Sequence, residues 1–452
     1  MSGASPSALR GSTRAPRPRL PREIHVLVIA AFVIAVGFGI VAPVLPSYAQ
    51  SFNVGVTAAS AVVSAFAFMR LVFAPAGGRL ITRFGERPMY IAGLLIVALS
   101  TGAAAFAQSY GQLLVLRGLG GIGSTLFSVS AMTLLVRLAP PRSRGRASSL
   151  YGSAFLLGSI GGPALGSALA GLGYRAPFLI YAVSLLIAAG FVALFLARAD
   201  GVAPGSARGV GAAGAAGESA WSGEGADAAA GSSGPAAPAP GPGPAMRVRE
   251  AWADSAFRAS IIGGFANGWA NFGARMALIP LFIGALPHVP AATTGIALTV
   301  FAGANALGLL AGGRLVESAG RRPIVIAGLL IGAVGTLPMG MTDSPLVLYA
   351  LSVIAGIGAG MLTPAQQVVL ADVIGAKRSG GAVLAAFQMS QDAGAILGPI
   401  LTGAIAAWLG FGWAFGVTGA ILALGALAWL GGRETRGDAE SEASEAAQAG
   451  EG

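Results

Sequence analysis

Twelve times along this chain an uncharged or nearly uncharged run appears, each long enough, at about 20 residues, for an α-helix to cross the hydrocarbon core of a bilayer. The runs fall at 24–45, 56–76, 88–107, 112–136, 148–171 and 176–197, and again at 259–285, 291–313, 323–342, 346–370, 381–408 and 411–431. A chain with 55% hydrophobic residues, 10% charged residues and a mean hydropathy of +0.74 cannot hide its apolar surface in a soluble domain of 452 residues. Its 70 glycines and 26 prolines fall largely inside the apolar runs, where small residues admit close helix packing. The expected fold is an all-α membrane protein with twelve transmembrane helices. The first run is too long for a cleaved signal peptide and is followed by many like it.

An even number of spans puts both termini on one side. The loops and tails on that side hold nearly all the basic residues, including Arg79, Arg83, Arg87, Arg137, Arg314, Arg321, Arg322 and Arg378, while the opposite loops hold Arg175 alone. The positive-inside rule makes the side of the termini cytoplasmic, in an inner or plasma membrane. The formal net charge of +10 is thus spread along one membrane face rather than gathered on a nucleic-acid-binding domain.

The expected organisation is a basic tail over 1–23, a six-helix bundle over 24–198, a linker over 199–257, a second bundle over 258–431 and an acidic tail over 432–452. The linker is rich in Ala, Gly, Ser and Pro without an apolar period. Residues 246–258 suggest a short interfacial helix ahead of the seventh span. The tail, with Glu434 and Asp438 near its start, reads as disordered and solvated.

Shifted by 235 positions, GGRLITRFGERP at 77–88 falls on GGRLVESAGRRP at 312–323, and GLGGIGSTLF at 118–127 falls on VIAGIGAGML at 353–362. Six spans per repeat keep the same orientation in both halves, so the halves are related by a pseudo-two-fold axis along the membrane normal. The same shift carries Glu86 onto Arg321 and Arg137 onto Asp372, exchanging both signs together. Glu86 is therefore expected to face Arg137, and Arg321 to face Asp372. The alternative is four unrelated charges at headgroup level.

These motifs resemble the major facilitator superfamily over nearly the whole chain apart from tails and linker. Gly78, Leu80, Arg83, Gly85 and Arg87 match its signature in the loop after the second span, and Gly313, Glu317, Gly320 and Arg321 occupy the same place in the second half. Thr82 departs from the Asp usual there, whereas Glu317 keeps an acid. Arg117, Gly121 and Gly123 resemble the R-x-x-x-G-x-G pattern of the fourth span, which implies a gating or proton-linked Arg117. Gly158, Gly162, Pro163 and Gly166 resemble the motif of the drug/proton antiporter branch, although Gly394, Gly398 and Pro399 repeat the pattern, and packing alone would also explain it. The resemblance implies alternating access around a central cavity, a small-molecule substrate, protons as coupling ion, no cofactor and a monomer in the lipid bilayer.

Polar groups inside a membrane face protein or a wet pathway. Arg70, Arg117, Asn267, Asn271, Arg275, Asn305, Gln366, Gln367, Gln388, Gln391 and Asp392 all avoid spans three, six, nine and twelve, which are the outer helices of the resembled fold. Asn267 and Asn271 lie four apart on one helical face with Arg275 roughly in line, a stripe that suits substrate binding or interhelical bonding equally. Arg70 reads equally as a pathway residue or as a cation that snorkels to the membrane edge. Asp392 is the one acid well inside a span and is the candidate proton-coupling group, with Arg70 and Arg275 as candidate partners; a structural ion pair is the alternative. With no cysteine, only His25 and His288, and no nucleophile set beside a base, neither a metal site nor an enzyme is expected. Export by proton antiport leads, against symport or facilitated uptake and against a non-transporting sensor or scaffold.

Overall fold

The computed structural model describes residues 20–140, 143–196, 245–375, 378 and 380–436. The first half comprises α1 (Arg22–Val41), α2 (Val56–Phe84), α3 (Glu86–Ala104), α4 (Tyr110–Leu138), α5 (Arg144–Leu169) and α6 (Arg175–Phe195). The second comprises α7, then α8 (Ala292–Ala319), α9 (Arg321–Thr336), α10 (Pro345–Ile374), α11 (Gly381–Leu409) and α12 (Phe411–Ala428). Helix α7 is composite: Ser255–Asn267 is α-helical, Gly268–Ala274 is π-helical, and Arg275–Gly284 returns to α. Eleven of these helices are individually long and apolar enough to cross a membrane, and composite α7 supplies the twelfth crossing.

Each half is a six-helix bundle. The outer helices α3, α6, α9 and α12 present Leu99, Leu194, Val334 and Leu424 outward, each more than half exposed, as a lipid-facing surface requires. Within the bundles, glycines set the closest approaches. A methyl group at Gly158, Gly162 or Gly166 of α5 would stand 2.7, 2.6 or 2.5 Å from the carbonyl oxygens of Phe32, Val36 and Ile40 on α1. The corresponding seam between α11 and α7 is as tight: a methyl at Gly398 would lie 2.7 Å from the Trp269 oxygen, and one at Gly394 would lie 2.6 Å from the Trp269 nitrogen. The repeated glycine pattern thus packs the same helix pair in each half.

The two bundles meet at the ends of their helices remote from the termini. The Ser64 hydroxyl of α2 donates to the Ile396 carbonyl of α11 at 2.7 Å, and Gly403 of α11 leaves no room for a methyl beside Ser60. On the other seam Gly295 of α8 lies against Ser167 and the Pro163 carbonyl of α5. Leu281 of α7 joins the apolar core of the first half at the same level.

On the side of the termini the signature residues are more helical than the sequence suggested. Gly78 and Arg83 belong to α2, and Gly313 and Glu317 to α8; only Gly85 and Gly320 lie between helices. Falling hydropathy marks where a helix leaves lipid, not where its hydrogen bonding stops, and Arg83 in the last turn of α2 favours the negative helix end. Gly85 and Gly320 have φ of +90° and +95°, conformations that exclude a side chain without strain and turn the chain directly into α3 and α9.

Two sets of bonds then tie these turns down. Glu86 accepts from Arg137 at 2.9 Å and Asp372 from Arg321 at 3.1 Å, so the exchanged signs pair within each half. Arg87 donates to the Ala193 carbonyl at the end of α6, and Arg322 to the carbonyls of Trp429 and Leu430 just beyond α12. These arginines cap helix ends and complement the helix dipole. Thr82 bonds only the Arg79 carbonyl, and Glu317 stands exposed without a bonding partner among the described residues.

The start of the acidic tail is ordered rather than solvated. Arg433 forks onto Asp254, the N-cap of α7, at 2.7–3.1 Å. Glu434 accepts from the backbone N–H groups of Arg321 and Arg322 at 2.9 and 3.0 Å, capping α9 from a distant part of the chain. Thr435 is fully buried and donates to Asp372 at 2.7 Å. The unmet N–H groups of a helix start are what hold Glu434. The interfacial helix expected over 246–258 reduces to Val248–Ala251, after which Asp254 starts α7. Most of the 199–257 linker lies outside the described residues, as do nearly all of the basic tail and the acidic tail beyond Arg436.

Candidate central cavity

Between the bundles lies a cavity of about 220 Å³, lined from α1, α2, α4, α5, α7, α8, α10 and α11. None of its lining residues comes from α3, α6, α9 or α12. The polar lining is Arg70, Arg117, Ser159, Asn267, Asn271, Asn305, Thr363, Gln388, Gln391 and Asp392. Of the intramembrane polar residues read from sequence, all line it except Arg275, Gln366 and Gln367.

Helix α2 carries Phe66 and Arg70 to the wall, and α4 comes up against α2 because Gly121 has no side chain to hold it away from Phe66 and Met69. That approach lays the Arg117 guanidinium over the Phe66 ring, 4.8 Å from its centroid. On α7, Asn271 donates to the Asn267 side chain at 2.6 Å, so the two amides act as one unit at the cavity edge. On α11, Gln388 donates to the Asp392 carboxylate at 3.2 Å, one helical turn away. Gln391 is buried, and its amide nitrogen has no hydrogen-bond partner among the described residues. Gly268 of α7 lies so close to the Gln391 backbone that a methyl group there would overlap its carbonyl, and the missing side chain lets α7 and α11 touch at this level.

Arg275 overturns the expected three-residue stripe. The π-helical turn over Gly268–Ala274 bonds i to i+5 and turns less per residue than an α-helix, so Arg275 lags behind the face of Asn267 and Asn271. Its guanidinium sits 4.0 Å from the centre of the Phe301 ring and donates to Thr336 at 3.2 Å and to the Met339 sulfur, on the α8–α9 side. It is neither a cavity residue nor a partner of Asp392. Gln366, expected on the pathway, is buried beside Gly263 instead, and both its amide atoms lack partners among the described residues.

Sequence reading also missed the aromatic part of the wall. Phe38, Phe66, Phe155, Phe272 and Phe301 line the cavity with Met276. In a chain with 21 phenylalanines, most of them inside apolar runs, no local signal separates those facing the cavity from those facing lipid.

Two pseudo-symmetric six-helix bundles, joined at one end around a cavity that only their inner helices line, define a membrane transporter rather than an enzyme. The chain belongs to the Major Facilitator Superfamily, whose family model matches residues 27–283 and 260–450. Among curated proteins it is similar to Multidrug resistance protein 2 of Bacillus subtilis (strain 168), with 30% identity over 164 residues, or 36% of this chain and 41% of that protein. It is also similar to the Quinolone resistance protein NorA of Staphylococcus aureus, with 27% identity over 161 residues, 35% of this chain and 40% of the relative. The match therefore spans about two fifths of each relative's length. Among solved structures, an inward-facing and occupied bacterial homolog of the human lysosomal transporter Spinster superposes with a TM-score of 0.70 at 16% identity, covering 90% of this chain and 95% of that one. The human organic anion transporter MFSD10 (TETRAN) gives a TM-score of 0.60 at 17% identity, covering 91% of this chain and all of that one. At these identities the structures establish the fold alone.

Proposed function

We propose that this secondary transporter exports a small organic solute from the cytoplasm in exchange for protons, working as a monomer in the cell membrane with both termini cytoplasmic. One observation carries the coupling role: Asp392 is the only carboxylate among the residues lining the cavity. A carboxyl on the wall of a cavity that opens alternately to two sides can take a proton from one and release it to the other. Gln388, donating to one oxygen of Asp392, orients the carboxyl on the cavity wall. Asn267, Asn271, Asn305 and Gln391 supply hydrogen bonds for a solute, and the phenylalanines supply apolar contact.

The names of the two curated relatives, a multidrug and a quinolone resistance protein, favour export of drug-like or secreted compounds. The basic loops favour cytoplasmic termini. On that orientation the bundles are closed at the outer side and the structure is inward-facing. Rocking would break the contacts of Ser64, Gly295 and Gly403 and bring the ends bearing Gly85 and Gly320 together. The glycine seam around Gly162 and Pro163 would keep α1 and α5 moving as one body.

The test is solute movement in proteoliposomes under an imposed pH difference. An acidic lumen drives uphill accumulation through an antiporter, and an alkaline lumen through a symporter. Asp392→Asn is expected to lose uphill accumulation while retaining solute exchange. Uphill transport by Asp392→Asn at the wild-type rate would remove Asp392 from the coupling role, and transport indifferent to the pH difference would remove proton coupling altogether.

A further inference from the structure

The charged residues of the cavity wall are Arg70, Arg117 and Asp392, with no lysine, histidine or glutamate among the lining residues, so the wall carries one more positive than negative group. Arg117 is 5% exposed, and its Nε has no hydrogen-bond partner. No acceptor among the described residues hydrogen-bonds any of its donors; the Phe66 ring lies beneath it, and the Tyr181 phenol is near enough to feel its charge. A guanidinium presents five N–H donors in a planar fork and cannot escape its charge by losing a proton. Leaving such a group buried and unmet costs free energy that an anionic ligand would return. Arg275, equally buried, differs in that Thr336 and Met339 accept from it away from the cavity.

The surroundings of Arg117 specify the rest of the ligand. Phe66, which stacks on the guanidinium, lies with its ring centre 6.2 Å from that of Phe38, and both rings line the cavity. An anionic head on Arg117 would therefore place an aromatic body along Phe66 and Phe38. The volume of about 220 Å³ falls below the roughly 300–1,000 Å³ of pockets that take drug-sized ligands, which favours a compact solute.

We propose that the cavity selects compact aromatic organic anions, and that Arg117 is the residue that receives the anionic group. The inference rests on the transporter reading of this cavity and names the substrate class that reading leaves open. It assigns Arg117 a contact with the solute rather than a role in gating.

The test compares naphthoate with naphthamide, which match in shape and differ in charge, by equilibrium binding to the full chain in lipid nanodiscs at neutral pH. Wild type should bind naphthoate at least about tenfold more tightly, the worth of a charge-assisted hydrogen bond. Arg117→Gln should abolish the difference, with naphthoate losing more affinity than naphthamide, and Arg117→Lys, which keeps the charge without the fork, should retain part of it. Equal wild-type affinity for the two probes would overturn the proposal without any variant. A preference that persists in Arg117→Gln would overturn the assignment to Arg117 and shift it to Arg70. The broader export reading fails separately. If tetraphenylphosphonium, an aromatic cation, is driven uphill by a pH difference and naphthoate is not bound, the anion inference falls and proton-coupled export stands. If naphthoate binding needs Arg117 but no pH difference moves it, the anion site stands and proton-coupled export falls.

Discussion

Replacing Gly295 with alanine should open the seam between the bundles, because this glycine lies where α8 crosses α5. The added methyl would stand 2.6 Å from Ser167 Cβ and would also overlap the Ser167 hydroxyl and the Pro163 carbonyl. Overpacking of this kind costs about 1–3 kcal/mol. Since Gly295 belongs to one bundle and Ser167 to the other, separating the bundles at this end relieves the strain. The cost then becomes a population shift of roughly 5- to 150-fold toward the state open at that end. A chain without cysteine suits a clean assay: Ala42→Cys places a single thiol on the cavity wall near this seam, and its rate of alkylation by a membrane-impermeant maleimide reports the opening. Gly308→Ala is the control, because its methyl would meet Ile357 Cα at 3.0 Å within the second bundle, where bundle separation relieves nothing. Gly308→Ala should lower thermal stability without changing the labelling rate. Equal labelling in Gly295→Ala and its parent, or equal acceleration by Gly308→Ala, would refute the argument.

The remaining expectations concern the face that carries the termini. Exchanging Glu86 and Arg137 by Glu86→Arg with Arg137→Glu should restore most of the transport lost in either single variant; failure of the double variant to recover would mean that the 2.9 Å pair is incidental. Asp372 is more enclosed than Glu86, with side chains in its pair 9% and 13% exposed, so Asp372→Asn should lower the melting temperature more than Glu86→Gln does. At Asp254 burial acts to raise the carboxyl pKa, but hydrogen bonds from Arg433 and the Ala256 N–H, with the charges of Arg433 and Arg258, outweigh it and hold the pKa below the usual value. A depressed folded-state pKa stabilises the protein above the unfolded pKa, about 3.9. The stability gap between wild type and Asp254→Asn should therefore be constant at neutral pH and close as pH falls below about 4; a gap independent of pH would contradict the ion pair. Glu434→Gln should weaken the cap on α9 by about 0.5–1 kcal/mol, read as faster hydrogen exchange at the Arg321 and Arg322 amides, and unchanged exchange would show that the contact carries no free energy.

How much of this was legible beforehand depends on whether the signal was local and periodic. Lipid forces each crossing to be a helix and makes the polar residue the exception, so the twelve spans, the inner and outer helices and the membership of Asn305, Gln388, Gln391 and Asp392 in one cavity could be read from position alone. The repeat added a second constraint. A pair of charges that changes sign together at the shift of 235 has little reason to do so unless the two residues touch, and Glu86 with Arg137 and Arg321 with Asp372 do touch. What was hidden depended on departures from periodicity. Arg275 would continue the Asn267 and Asn271 stripe in a straight α-helix, and nothing in GWANFGA announces the π-helical turn that rotates it toward Thr336. That turn coincides with the place where Gly268 and Gly394 let α7 and α11 meet backbone to backbone, a contact with a helix more than a hundred residues away that no local pattern announces. Glu434 is hidden for a related reason. Its composition is that of a solvated tail, but the start of α9 leaves N–H groups unmet at Arg321 and Arg322, and the end of α12 brings the carboxylate within 3.0 Å of them. The first half has alanine at the equivalent position, Ala199. A carboxylate cap therefore exists on α9 at a position where the first half carries alanine, so the two halves, alike in their glycines and their arginine caps, do not share this residue.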